Sequence, residues 1–511
     1  MNDWTAGYVA DIGYTYGYYT ELNPLRAQLA FLSGGYALPA MATCCELGFG
    51  QGMSTNIHAA ASNSRWWATD FNPAQASFAQ NLAAISGAGA QLFDQSFAEF
   101  CSRSDLPDFD YIGLHGIWSW ISDENRAVIA DFVCRKLKVG GVLYISYNTQ
   151  PGWAAMVPMR HLLTEHSKVV GAPGQGIVGR IDAAIEFTEK LLATQPMYAR
   201  ANPHVVERIK QIKGQNRNYL AHEYFNRDWE PMPFAAFSDW LTPAKLNYAC
   251  SAHYLDHVDI INMTAEQQQF LQAISDATFR ETVRDYMINQ QFRRDYWVKG
   301  GRKLSALEQA EALRKPRIVM TQHRADVTFE VNSVLGKASL QESVYAPILD
   351  ALADHQPKTL GQLEQLLQPQ GVVFAQLLQA IMILIGKGTL TLAQDEAAVG
   401  QAKPHTDKLN ARVMDLTRGS SDISYLASPV TGGGISVSRF AQLFLMANAQ
   451  GETQPEAWAG FVWGILKSQN QQIIKEGKML KTAEENLAEL TEQAREFAEK
   501  QLPLLKALAV V

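Results

Sequence analysis

The sequence predicts an α/β fold in its first 150 residues, with mostly helical regions behind it. Three observations predict this. Short apolar runs alternate with segments of helical period; glycines and acids fall where those runs end; and the second half carries long amphipathic stretches with few strand signals.

Taken in order, residues 23–32 have helical spacing, with Pro24 suited to a first turn. A strand at 42–47 enters a glycine-rich loop, and a helix follows over 54–61. The pattern repeats: strand 65–69 ending at Asp70, helix 73–86, strand 90–93 ending at Asp94, strand 109–114, helix 123–137, strand 142–147. Strands separated by helices of this length imply a parallel, Rossmann-like sheet with right-handed crossovers. In such sheets ligands sit beyond the carboxyl ends of the strands, at the switch point.

The bulk properties narrow the function classes. At 511 residues the chain exceeds one hydrophobic core, so several domains are expected. A net charge of −7 argues against nucleic acid as a partner. The basic cluster Arg293, Arg294, Lys299, Arg302 and Lys303 reads as a solvated helix face. Five cysteines include no CxxC pair, which fits reduced thiols of a cytoplasmic protein. The first residues show no basic or apolar leader pattern, and the longest apolar run, 377–385, is too short to span a membrane. A protein not embedded in a membrane is therefore expected. No HExxH and no clustered ligand spacing suggests a metal.

The loop Glu46-Leu47-Gly48-Phe49-Gly50-Gln51-Gly52 carries glycines that let the backbone turn tightly and approach a ligand. Its GxGxG spacing departs from the GxGxxG that holds a dinucleotide pyrophosphate. S-adenosylmethionine has no phosphate and needs no such geometry. Glu46 is placed for the cofactor's ammonium and Asp70, 22 residues after Gly48, for both ribose hydroxyls. Asp94, Ser96 and Phe97 fall where an adenine would lie, with Phe71 beside Asp70. A nicotinamide oxidoreductase would share this strand-loop-helix; the spacing weighs against it.

The strings ELGFGQG, TDFNPAQA, FDYIGLHGIWSWIS and GGVLYISYNTQPGW resemble class I S-adenosylmethionine-dependent methyltransferases. More narrowly, HGIWSW at 115–120, SYNTQPGW at 146–153 and LAHEYF at 220–225 resemble the bacterial group with a methyltransferase regulatory domain, which includes outer-membrane-protein lysine methyltransferases. The resemblance implies S-adenosyl-L-methionine as cofactor, two further strands closing the sheet with the last antiparallel, and a homodimer built with inserted helices.

Methyl transfer mainly requires positioning and exclusion of water. His115, Trp118, Trp120, Tyr147 and Asn148 follow the fourth and fifth strands, beside the expected methyl. Tyr147 and Asn148 are expected to orient the acceptor, the tryptophans to wall it, and His115 to act as a base or to touch the cofactor. Core packing is the alternative for the tryptophans, and a backbone bond for His115. Glu223, after His222, is a second candidate for holding an amine; capping or ion pairing is its alternative. Tyr14, Tyr16, Tyr18 and Tyr19 read as a lid or as packing against the sheet edge.

The expected organisation is a cofactor core at 1–152, a helical insertion at 153–217, the last strands at 218–262, and a helical regulatory domain at 263–335. A winged-helix-like domain at 336–400 and a C-terminal helical region at 401–511 follow, the latter with an apolar stripe that Pro503 closes. The acceptor is expected to be a protein side chain, lysine above all. A small molecule or a saccharide or lipid precursor remains open, as does a cofactor-sensing adaptor without catalysis.

Overall fold

The computed structural model describes residues 7–8, 13–38, 40–171, 174 and 176–511. Its centre is a seven-stranded sheet: β1 (Thr43–Leu47), β2 (Arg65–Asp70), β3 (Gln91–Asp94), β4 (Phe109–Leu114), β5 (Leu137–Asn148), β6 (Leu246–Ser251) and β7 (Phe292–Lys299). The order is β3-β2-β1-β4-β5-β7-β6. The first five strands run parallel, and β7 runs antiparallel to both β5 and β6. β1 and β4 are buried along their whole length, as parallel strands covered on both faces must be. The chain moves outward one way from β1 to β3 and the other way from β4 onward. A crevice therefore opens between the carboxyl ends of β1 and β4.

Local chemistry fixes the helices that frame this crevice. Asn72 caps the helix Pro73–Ser86 by accepting from the Ala74 and Gln75 N–H groups. Ser96 and Glu99 form a capping box for Phe97–Cys101, and the Ser122 side chain caps Asp123–Lys136.

The expected end of the sheet requires correction. The last strand is antiparallel, but it lies at Phe292–Lys299 rather than within 218–262, inside the segment expected to be helical. The preceding helix, Ala277–Ile288, stops at Asn289, which takes a left-handed conformation (φ +49°) and turns the chain. The basic cluster is likewise no solvated helix face. Arg293 is buried on β7, where Glu281, Asp285 and Asp295 accept from its guanidinium at 3.0, 2.6 and 2.8 Å.

Among the described residues, five helices between Val157 and Tyr224 leave the sheet and return, packing on one another through Leu163, Ile181, Ile185, Ile209 and Leu220. Beyond the sheet, the helices Glu342–Ala351, Leu360–Leu367 and Phe374–Gly386 precede a strand, Leu390–Ala393, that pairs with Arg317–Met320. Among the described residues no single helix is long and apolar enough to cross a membrane. The C-terminal region is helical but also holds a hairpin, Tyr425–Ser428 with Gly433–Ser436. Its apolar stripe does not stop at Pro503. The helix Ala483–Glu496 passes through a π-turn into Leu502–Ala507, burying Leu490, Ala494 and Phe497 against its own unit.

Candidate active site

The carboxyl ends of β1, β2, β3 and β4 open into one cleft, roofed by the N-terminal segment. Gly48, Gly50 and Gly52 all have positive φ, at 80°, 58° and 71°. A Cβ on Gly48 would come within 2.5 Å of the Ile117 side chain, so only glycine lets this loop pass the wall of the cleft. Asp70 is 7 % exposed and accepts from the Gly50 N–H at 2.8 Å and the Asn72 N–H at 3.0 Å, one on each oxygen. Each oxygen keeps a further lone pair for hydroxyl donors. Burial raises the Asp70 carboxyl to about 6, against those two N–H bonds. Glu46 lies at the end of β1 and accepts from the Thr55 hydroxyl. Burial raises it to about 7. Three carboxylates, from Glu46, Asp70 and Asp228, line the cleft, and no lysine or arginine does among the described residues. Such a surface favours a cationic ligand, whose charge would draw both buried carboxyls back to the ionised form.

The structure gathers most of the cofactor candidates. Glu46, Gly48, Phe49, Gly50, Asp70, Phe71, Ser96, Phe97 and His115 line the cleft. Gly52 does not. It sits at the start of the helix Met53–Ala61, where a Cβ would meet that of Ala79 at 2.4 Å. Asp94 is exposed beside Asp70 at the end of β3; Gln95, one residue on, lines the cleft instead.

The acceptor candidates divide. Trp120 lines the cleft and leans on Trp229 at 5.9 Å. Trp118, Tyr147 and Asn148 do not. Trp118 is fully buried against Phe237 and Trp240. Tyr147 stacks on Phe237 at 4.0 Å and donates to Asp295 at 3.2 Å, on the sheet face away from His115 and Tyr144. The Asn148 N–H donates to the Ser119 hydroxyl at 2.8 Å. For Tyr147 strand alternation is the reason: Tyr144 and Tyr147 are three apart on β5, so they leave opposite faces. His115 meets the cleft with its Nδ1 2.7 Å from the Tyr144 hydroxyl and its ring stacked on Tyr19 at 4.0 Å. Desolvation lowers its pKa to about 4, against the attraction of Glu21.

The N-terminal tyrosines divide by what they touch. Tyr14 and Tyr19 line the cleft, joined by Tyr8, which sequence reasoning missed. Tyr16 and Tyr18 turn away. The rings of Tyr8 and Tyr14 lie 5.3 and 5.0 Å from that of His222, which ties the roof to the helix Arg217–Tyr224. Glu223 follows His222. It does not line the cleft but stands close enough to Tyr8, Tyr14 and Tyr19 for its charge to raise all three hydroxyls. Burial raises Glu223 itself to about 7, against the opposing charge of Arg208. Asn72, Gln75, Ile117, Ile121, Ser122, Asn125 and Asp228 complete the cleft and were not foreseen. Ile117 lies within the HGIWSW string and Ile121 and Ser122 directly follow it, so these carried that signal; Asp228 carried none.

Comparisons with known proteins agree with this architecture. Residues 216–299 match a family model described as a predicted methyltransferase regulatory domain, which begins earlier than the expected 263–335 and contains β6 and β7. The uncharacterized protein sll1526 of Synechocystis sp. is 41 % identical over 512 residues, covering 99 % of each chain. Protein RP789 of Rickettsia prowazekii is 27 % identical over 201 residues, 38 % of this chain and 35 % of that one. Among solved structures, PKMT2 from Rickettsia typhi in complex with AdoHcy superposes with a TM-score of 0.69 at 17 % identity, over 94 % of this chain and 98 % of that one. The fold is that of the class I methyltransferases. The chain belongs to the same family as sll1526, which joins the class I methyltransferase fold to a region matching the methyltransferase regulatory domain model.

Proposed function

We propose that the protein transfers a methyl group to an amine on a protein side chain, lysine above all. The observation that carries this reading is one cleft with two unlike ends: buried carboxylates at the strand ends, and a tyrosine roof backed by Glu223. At the first end, Asp70 is suited to accept both ribose hydroxyls and Glu46 to meet the ammonium, with Gln95, Ser96 and Phe97 around the adenine. When bound, the cofactor supplies a methyl group on a sulfonium that is displaced in line. The surrounding residues have the remaining tasks: the Tyr19–His115 stack and Trp120 exclude water, and the tyrosine faces attract a cation.

An amine acceptor has to lose a proton before or during attack. Glu223, raised to about 7, suits that task at neutral pH. His115, lowered to about 4 and engaged with Tyr144, is a weaker base and serves as a wall. The name PKMT2 and its bound AdoHcy belong to the rickettsial structure; they support the reading for this chain through the shared fold.

The finer organisation follows the same reading. The inserted helices expose Val169, Val170, Phe187 and Met197 at 72, 65, 42 and 75 %, which supports a homodimer through this insertion. A monomer by light scattering at micromolar concentration would remove that part. The unit from 336 to 400 is read as a winged helix that serves protein contact, because the helix Phe374–Gly386 carries no lysine or arginine. Five free cysteines support a cytoplasmic location.

The test is incubation of purified protein with tritiated S-adenosylmethionine and a host lysate including its membrane fraction. Label in a protein band, absent with Asp70→Ala, is expected. Label confined to small extractable molecules would replace the acceptor by a small one, and cofactor binding without transfer would make the chain an adaptor.

A further inference from the structure

The segment that roofs the cleft is anchored on its other side by the far end of the chain. Residues 13–19 form neither helix nor strand, so side chains must fix their path. Tyr18 is the deepest of these anchors. Its ring lies against the hairpin Tyr425–Ser428 and Gly433–Ser436, facing the rings of Tyr425 at 5.2 Å and His58 at 5.3 Å. A Cβ on Gly433 would come within 2.4 Å of the Tyr18 hydroxyl, and one on Gly434 within 3.1 Å of its ring. Gly433 and Gly434 thus make a cradle that a side chain at either position would fill. The hydroxyl stands 3.2 Å from His58 Nε2, and the Asn23 amide donates to the Thr431 carbonyl at 3.2 Å, fastening the next turn to the same hairpin.

Tyr18 sits between the two residues that meet the cleft. On one side Tyr19 donates its N–H to the Ser54 hydroxyl at 2.9 Å and stacks on His115 at 4.0 Å. On the other, the Tyr14 carbonyl accepts from the Gln51 amide at 3.3 Å, and its ring covers Gly50, whose added Cβ would lie 3.5 Å away. The helix Met53–Ala61 joins these contacts. It carries His58 toward Tyr18, Ser54 toward Tyr19 and Thr55 toward Glu46.

We propose that Tyr18 is a positioning residue of the cofactor site. Seated in the glycine cradle of the C-terminal hairpin, it sets the register of the roof so that Tyr14 and Tyr19 close over the cleft. The C-terminal unit is thereby part of the cofactor site although none of its residues lines the cleft. An unladdered segment loses much conformational entropy when it closes, and an anchor that orders it beforehand lowers that cost at the moment of binding. The proposal rests on reading the cleft as the cofactor site.

The experiment titrates AdoHcy by calorimetry into the full chain and into Tyr18→Ala, Tyr18→Phe and Gly434→Val, with transfer kinetics and melting temperature measured alongside. Tyr18→Ala is expected to weaken AdoHcy about tenfold and to raise the cofactor KM in parallel, with kcat within about twofold. Tyr18→Phe keeps the ring in the cradle and restores affinity to within about twofold of wild type. Gly434→Val, at the opposite end of the chain, reproduces the loss by displacing the ring. In the background Tyr14→Ala/Tyr19→Ala, Tyr18→Ala adds no further loss, because its effect passes through those two residues. If Tyr18→Ala fails to fold, Gly434→Ala carries the same prediction with a shift of about threefold. Wild-type AdoHcy affinity in Tyr18→Ala, or a loss that adds in full to that of Tyr14→Ala/Tyr19→Ala, would overturn the proposal alone. A wild-type chain that takes up no AdoHcy would remove the cofactor reading and the proposal with it.

Discussion

The two ends of the cleft are built in opposite ways. Glu46, Asp70 and Gln95 come from the ends of successive parallel strands or the residue just beyond, each placed by a strand-turn-helix unit that closes locally. The proposed acceptor end is assembled from segments with no local relation: Tyr8, Tyr14 and Tyr19 from the N-terminal roof and Asp228, with Glu223 of the helix Arg217–Tyr224 behind the tyrosines. The first kind of site is a property of the sheet. The second depends on how the roof and the insertion return to it.

That contrast makes separable predictions. The largest effect is expected from Asp70→Ala, which removes the anchor of the strand end. Losing two charge-assisted hydrogen bonds of about 1.5–3 kcal/mol each weakens AdoHcy by on the order of 100-fold or more, read by calorimetry. Glu223→Gln is the counterpart at the other end. It is expected to lower kcat on the order of 100-fold while AdoHcy affinity stays within about twofold. If both variants lose cofactor binding equally, the two ends are not distinct. Gly48→Ala tests the loop between them. A Cβ 2.5 Å from Ile117, on a residue with φ +80°, is expected to weaken AdoHcy about tenfold without touching the acceptor end.

Stability against pH sharpens the comparison further. Glu46, Asp70 and Glu223 are raised in the folded chain to about 7, 6 and 7. Between the unfolded values near 4 and these, the folded state holds more protons than the unfolded one. The stability these three carboxyls contribute is therefore fully present below about pH 4 and falls as pH rises to about 7. The melting temperature of the cofactor-free wild type should therefore lose ground to that of Glu223→Gln as pH rises across that window. The smallest effect belongs to Tyr147→Phe. Loss of its bond to Asp295 costs roughly 1 kcal/mol of stability by denaturant titration, with kcat unchanged.

The sequence made the first end legible and the second only in fragments. Glycine spacing after β1 and an acid after β2 reflect the constraints of a parallel sheet edge, so Gly48, Gly50 and Asp70 could be found without knowing the rest of the chain. Tyr147 and Asn148 were expected at the acceptor end from their place at the end of a strand; pleat parity sends Tyr147 to the opposite face, and a strand's end alone does not reveal its parity. Asp94 fell one residue short for a related reason, since the turn after β3 aims Gln95 inward. The last strand was hidden because FRRDYWVK continues the helical spacing of the segment before it, and only Asn289, left-handed, with Gln290 and Gln291, separates them. Tyr8 and Asp228 owe their positions wholly to tertiary packing, which leaves no local pattern to read.

The central claim is that the roof end of the cleft, through Glu223, takes the proton from the acceptor amine. Single-turnover transfer measured from pH 5.5 to 9 in wild type and Glu223→Gln tests it most directly. The account predicts a wild-type rate that climbs through a break near pH 7, as Glu223 ionises, and a Glu223→Gln rate that is low and lacks that break. The same break in both proteins would contradict it.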